Sequence, residues 1–156
     1  MKEIIIGQSK TADTRTCDVS KVSREVLLAS SKQHIEDVQK GLEWFRSRLE
    51  IAGLKHDWTK LEQIDQFFED FKTGFTRTKW WDNHRKQERH HLSQSDGIRT
   101  DVDLIDVIEY LVDGVMAGLA RSGKYRKEEL PKGLLELAFD NTVEKLVSSI
   151  EVRKDT

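Results

Sequence analysis

A histidine and an aspartate stand side by side at His56 and Asp57, between two long helical patterns. A neutral imidazole and an ionised carboxylate are both available near neutral pH, and both are ligands for divalent cations. Four further histidines fall between residues 34 and 91: His34, His84, His90 and His91. This clustering predicts a metal site. The alternative is a polar helix start, with Asp57 or Thr59 as its N-cap.

Three carboxylates follow on a later helical pattern, Asp106, Glu109 and Asp113, at steps of three and four residues. They share one flank of a helix that is otherwise apolar. Burying an unpaired carboxylate is costly, so any of the three that points inward should bind a cation or pair with a base. The pattern leaves open which of them does so.

Residues 79 to 91 combine histidines, tryptophans and cationic side chains. In a helix, steps of four and seven residues put Trp80, His84 and His91 on one side. The alternative is an amphipathic segment whose tryptophans cover a core. The basic and aromatic mixture permits a phosphate or nucleic-acid contact. However, Asp82 and Glu88 dilute its charge, and a net charge of −2 supplies no general basic field, so we do not expect a nucleic-acid partner.

Apolar residues recurring at three- and four-residue steps predict helices over about 20–52, 56–72, 100–122 and 133–150. Residues 73–100 lose this period, and a single turn or short helix is expected over 80–91. The 37% hydrophobic and 35% charged fractions suit a helical protein. We therefore expect an all-α fold, a single compact helical domain over 20–152 with about five helices, preceded by an arm or loop over 1–19. The Ile4-Ile5-Ile6 triplet permits a short strand or an apolar plug, and we favour the plug. Gly53 is expected to end the first helix, and His34 to point inward from it.

The single cysteine, Cys17, rules out an internal disulfide between cysteines of this chain. There is no apolar run near the roughly 18 residues that a membrane span requires, and no signal-type start. We therefore expect a cytoplasmic protein without a membrane partner.

In chain order, the candidate residues are His34, then His56-Asp57 with Lys60, then His84 with His90-His91, then Glu109 with Asp113. This series resembles the HD superfamily of metal-dependent phosphohydrolases. More narrowly, it is similar to a phage and bacterial family of unknown function that looks related to HD proteins. The resemblance covers about residues 30 to 150 and implies an HD-like helical bundle.

The resemblance also implies a ligand set for one cation: His34, His56, Asp57 and Asp113. Asp106 and Glu109 remain rivals to Asp113 for the last position. In HD proteins with two metals, further histidines hold the second ion, and His84, His90 or His91 would fill that role. We therefore expect one or two divalent ions per chain, of Mn, Fe, Co, Ni, Zn or Mg.

The activity that the resemblance implies is metal-dependent hydrolysis of a nucleotide or another small phosphate ester. Asp57 would be both ligand and orienting base, Lys60 with Arg85 or Arg89 would stabilise developing negative charge, and the tryptophans would stack a base. A homodimer is compatible with this interpretation. The alternative is a non-catalytic HD-like binding or inhibitor protein, phage-encoded, with a structural or vestigial metal site. An oxygenase-like activity and a helical domain without metal stay open as well.

Overall fold

The computed structural model describes residues 2–9, 11, 15, 17–77, 79–94, 97–125 and 129–154. It confirms the predicted all-α class, because helices dominate and the strands are short. The α-helices are α1 (Arg24–Lys55), α2 (Trp58–Glu62), α3 (Ile64–Lys72), α4 (Trp80–Gln87), α5 (Leu104–Ser122) and α6 (Leu134–Ser149). The strands are β1 (Ile4–Gly7), β2 (Ser93–Gln94), β3 (Gly97–Ile98) and β4 (Ile150–Arg153). None of the described helices combines the length and apolar character needed to cross a membrane.

The chain divides into two units, a terminal unit of Met1–Ser47 with Glu144–Thr156 and a central unit of Arg48–Val143. In the terminal unit, β1 pairs in parallel with β4, with Ile4 opposite Ile150. The isoleucine triplet therefore forms a strand, and its interpretation as an apolar plug was wrong. β-Branched side chains suit a pleated, half-buried surface, and Ile4 is buried.

Helix α1 begins and ends later than predicted, since it starts at Arg24 and continues through Gly53 to Lys55. Gly53 lies inside the helix, where glycine costs stability but does not force a stop. His34 is exposed. The apolar residues Leu27, Val38 and Leu42, which were expected to mark an inward stripe around it, are 55%, 47% and 63% exposed. The expected inward orientation of His34 is therefore not found.

One hydrophobic cluster in the core of the central unit contains Leu92, Val102, Leu134 and Ala138. Helix α5 begins beside this core, at Leu104 and not near Thr100. Its start is a capping box, in which the Asp103 carboxylate accepts from the Ile105 and Asp106 backbone N–H groups while Asp106 accepts from Asp103 N–H. The position of the α5 start is therefore closely determined.

The predicted helix over 56–72 is two helices, because the chain breaks at Gln63 between α2 and α3. Trp80 at the start of α4 is 1% exposed and stacks on Phe67 with a ring-centroid separation of 4.4 Å. Trp80 also stacks with the His84 ring, at 4.7 Å. This packing fixes the side of α4 from which His84 projects.

Candidate metal centre

The turn between α1 and α2 carries His56 and Asp57. Asp57 has a φ of 56°, a left-handed conformation that aspartate adopts more readily than most residues. It occupies the N-cap position of α2, yet its side chain makes no capping hydrogen bond. Thr59 is inside α2 and buried, so Asp57 is the one of the two N-cap candidates that holds the position. The Asp57 carboxylate is thereby directed to other partners.

One group of potential ligands, which we call site A, contains Asp57, His84, His90 and His91. One ligand atom from each lies within 4.8 Å of all the others. The two Nε2 atoms of His84 and His91 are 2.9 Å apart, and Asp57 Oδ1 is 3.4 Å from His84 Nε2. Asp57 Oδ1 is buried without a hydrogen-bond partner among the described residues. A buried anionic oxygen surrounded by imidazole nitrogens fits a cation as its missing partner.

A second group, site B, contains His56, His90 and Glu109. Glu109 Oε1 lies 2.9 Å from His56 Nδ1 and 3.2 Å from His90 Nδ1. His90 belongs to both sites, since its Nε2 atom faces Asp57 Oδ1 at 3.7 Å. Asp113 borders site B, with Oδ1 3.6 Å from His56 Nε2. The two sites are therefore adjacent and share a histidine.

The buried neighbours of His84 determine its tautomer. Its Nδ1 atom is 2.7 Å from Thr59 Oγ1, and that hydroxyl donates to Glu88 Oε1 at 2.6 Å. A hydroxyl has one proton to donate, so Thr59 must accept from His84 Nδ1–H. The proton on Nδ1 leaves the lone pair on Nε2, which is the atom that faces site A. A metal-binding histidine typically has such a partner on its other nitrogen.

The pKa values favour cation binding at most of these groups. Burial lowers the pKa of His91 to about 3, with further lowering by His90 and His84. Burial also lowers the pKa of His84, against the opposing effect of Asp57. These two imidazoles are therefore neutral at neutral pH, as ligands must be.

The carboxylates are held in their ionised form. Burial by itself would raise the pKa of Asp57, but the ion pair with Lys60 brings it below the ordinary value. Burial likewise opposes ionisation of Glu109, and the hydrogen bonds with His90 and His56 lower its pKa overall. His90 differs, because burial would lower its pKa but Glu109 and Asp57 raise it above the ordinary value. An approaching cation must displace a proton there.

The three predicted cations have different surroundings. Lys60 Nζ donates to Asp57 Oδ2 and so contacts site A directly. Arg85 donates to the Ser93 carbonyl oxygen and is close enough to His91 to help lower its pKa. Arg89 is engaged elsewhere, with two hydrogen bonds to the Asp106 carboxylate and two to Asp101. The Arg89 guanidinium therefore binds these two aspartates and is not directed at site A or site B.

The structure brings together most of the predicted ligands: His56, Asp57, His84, His90 and His91. His34 is in neither group and lies in the terminal unit, whereas both sites lie in the central unit. Of the rival carboxylates, Glu109 belongs to site B, whereas Asp113 borders it. Asp106, the third rival, is paired with Arg89.

Sequence reasoning missed two residues of this centre, Thr59 and Glu88. Both are buried, at 0% and 3% exposure. Glu88 is four residues after His84, which puts the two on one face of a helix, and this spacing was an available signal. Thr59 gave no signal beyond its position two residues after Asp57.

The chain matches no family model, no curated protein and no solved structure in the comparisons with known proteins. The interpretation of the centre therefore depends on its geometry.

Proposed function

We propose that the chain is a metal-dependent phosphohydrolase that acts on a small phosphate ester. The observation that carries this proposal is the pair of adjacent ligand groups, sites A and B, which share His90. Two observations support a cation at site A: Asp57 Oδ1 is buried without a hydrogen bond from any described residue, and His84 and His91 are neutral.

Site A would hold a cation through Asp57, His84, His90 and His91, and site B through His56, His90 and Glu109. A divalent cation supplies Lewis acidity and lowers the pKa of a bound water. Lys60, which donates to Asp57, would add a positive charge beside site A. In the hydrolysis, the water oxygen bonds to phosphorus, the bond from phosphorus to the organic oxygen breaks, and that oxygen leaves with a proton.

Base stacking on Trp80 no longer favours a nucleotide as the substrate. Trp80, which was expected to stack a base, is buried against Phe67 and His84. We therefore propose the broader class of small phosphate esters. The homodimer, the cytoplasmic location and a phage origin stay predictions.

The first experiment is elemental analysis of protein prepared without a histidine tag, with His90→Ala and His34→Ala prepared in parallel. We expect bound transition metal in the parent and in His34→Ala, and its loss in His90→Ala, because His90 serves both sites and His34 serves neither. His34→Ala is the matched control, since it also removes one imidazole. Loss of metal in His34→Ala with retention in His90→Ala would contradict the assignment.

The second experiment measures phosphate release from a panel of phosphate monoesters by protein loaded with Mn²⁺. We expect turnover by the parent and by His34→Ala and none by Asp57→Ala. Bound metal without any turnover would contradict the hydrolase and support the alternative, a binding protein. Native iron in the parent, with no phosphate release, would instead point to oxidation chemistry.

A further inference from the structure

A groove of about 430 Å³ opens beside site B. Helix α1 contributes Leu49, Ala52 and Gly53 to it, and helix α5 contributes Ile108, Val112 and Met116. The remaining lining residues are His56, Glu109 and Asp113. The volume falls within the range of small-molecule sites in proteins, roughly 300–1,000 Å³.

The lining separates into an apolar part and an acidic part. Ile108, Val112 and Met116 follow each other at steps of four residues, so they form one stripe along α5. Glu109 and Asp113, each one residue further on, put two carboxylates beside that stripe, next to the ligand His56. The groove thus has a polar end, lined by potential cation ligands, and apolar walls beyond it.

The charge of the lining excludes a class of ligand. Among the described residues that line the groove there are two carboxylates and neither lysine nor arginine. A polyanion such as a nucleoside triphosphate would place extra negative charge against Glu109 and Asp113, with no cationic side chain to offset the repulsion. A single phosphate bound through the cation at site B leaves the rest of the groove for an uncharged group.

We propose that this groove binds the organic part of the substrate, and that the substrate is a phosphate monoester of an apolar alkyl or aryl group. This inference rests on the proposed function. It identifies which part of a phosphate ester the protein recognises, with the phosphate at site B and the apolar group between α1 and α5.

The test compares two phosphonates that cannot be hydrolysed, phenylphosphonate and methylphosphonate, by calorimetric titration of the Mn²⁺-loaded protein. Burial of the phenyl ring against the apolar walls should make phenylphosphonate bind roughly ten- to fifty-fold more tightly. Equal affinities would overturn the inference.

Two variants locate the effect in the groove. Ala52→Phe fills the groove and should remove the preference for the phenyl compound. Ile51→Phe is the matched control, because Ile51 is on the same helix but 52% exposed and outside the lining, so the preference should persist. Val112→Ser, a milder change, should reduce the preference even if Ala52→Phe fails to fold. Preference unchanged in Val112→Ser would overturn the inference.

Binding and turnover separate this inference from the proposed function. Hydrolysis of phosphate esters with equal phosphonate affinities would leave the function standing and overturn the groove assignment. A preference for phenylphosphonate without hydrolysis of any ester would overturn the hydrolase and leave the groove as a binding site for the apolar group.

A third outcome is that the groove is closed by a second copy of the chain. Sedimentation would then show a dimer that Ala52→Phe dissociates, and this too would overturn the inference.

Discussion

The clearest chemical feature of the centre is a pair of hydrogen bonds on the Nδ1 side of His84, the side away from site A. Thr59 accepts from His84 Nδ1 and donates to Glu88, and all three side chains are buried. This arrangement decides which imidazole nitrogen faces site A. It also means that residues which cannot touch a cation set the affinity for one.

Replacing Thr59 tests this role. Thr59→Val removes the hydroxyl with little change in volume, and we expect it to weaken metal binding at site A by roughly 10- to 100-fold. The reason is that His84 loses the acceptor that fixes its tautomer and ring orientation. Thr59→Ser keeps the hydroxyl and should bind as the parent does. Calorimetric titration with Mn²⁺ measures both, and a Thr59→Val protein with parental affinity would contradict the assigned role.

The raised pKa of His90 predicts pH-dependent binding. Since Glu109 and Asp57 raise this pKa above the ordinary value, His90 carries a proton at higher pH than a free histidine would. A cation must displace that proton, so metal affinity should fall as the pH drops through the raised pKa.

Proton release is the direct measure of this effect. Titrations at about pH 6.5 and about pH 8.5, each in two buffers of different ionisation enthalpy, give the number of protons released. We expect more protons released at the lower pH. His34→Ala, which removes an imidazole outside both sites, should keep the difference between the two pH values. Equal proton release by the parent at both pH values would contradict the prediction.

At the scale of secondary-structure elements, Arg89 links the turn after α4 to the start of α5. Its guanidinium binds Asp106, which is 2% exposed and forms part of the α5 capping box, and it binds Asp101 as well. His90 and His91 directly follow Arg89, while Glu109 lies one turn into α5. The residue expected to stabilise a reacting phosphate therefore holds ligand-bearing elements in position.

Arg89→Ala should accordingly destabilise the protein. Burial raises the pKa of Asp106 even with Arg89 present, and removing the guanidinium would leave this carboxylate without its cationic partner. We expect a loss of about 1–3 kcal/mol in the free energy of unfolding, measured by urea denaturation. Arg85→Ala is the matched control, because Arg85 makes an exposed contact to a backbone oxygen, and it should stay within about 0.5 kcal/mol of the parent. Equal effects of the two changes would contradict the structural role of Arg89.

For the whole chain, the important fact is that the ligands come from separate elements. His56 and Asp57 follow α1, His84 lies on α4, His90 and His91 follow α4, and Glu109 lies on α5. A cation that binds only the folded arrangement of these elements must stabilise it by mass action.

Metal removal should therefore lower the unfolding temperature. At a free metal concentration of 100 times Kd, the stabilisation is about 2.7 kcal/mol. We expect a clear upward shift in the thermal unfolding midpoint with Mn²⁺ relative to EDTA. His34→Ala should show the parental shift, and His90→Ala should show almost none. An unchanged midpoint in the parent at saturating metal would argue against both sites.

Local patterns in the sequence were enough to predict the all-α class and part of the centre. Helical periodicity is a property of neighbouring residues, so it revealed α1, α5 and α6 to within a few residues at most ends. The same local geometry correctly placed Trp80 and His84 on one side of α4, whereas His91 follows α4 and meets His84 from outside the helix. Adjacency in the chain was sufficient to keep His56 and Asp57 together.

Tertiary packing decided the features that the spacing of residues in the sequence leaves undetermined. The face that a helix buries depends on distant elements, so the stripe around His34 looked inward in the sequence and is exposed in the structure. Spacing left open which of Asp106, Glu109 and Asp113 joins the centre, because this depends on the residue that faces each turn of α5. Asp106 faces Arg89, whereas Glu109 faces His90. The support of His84 by Thr59 joins residues 25 positions apart. The residue types that can bind a cation are thus readable from the sequence, whereas their assembly into sites A and B follows from long-range contacts that no local pattern encodes.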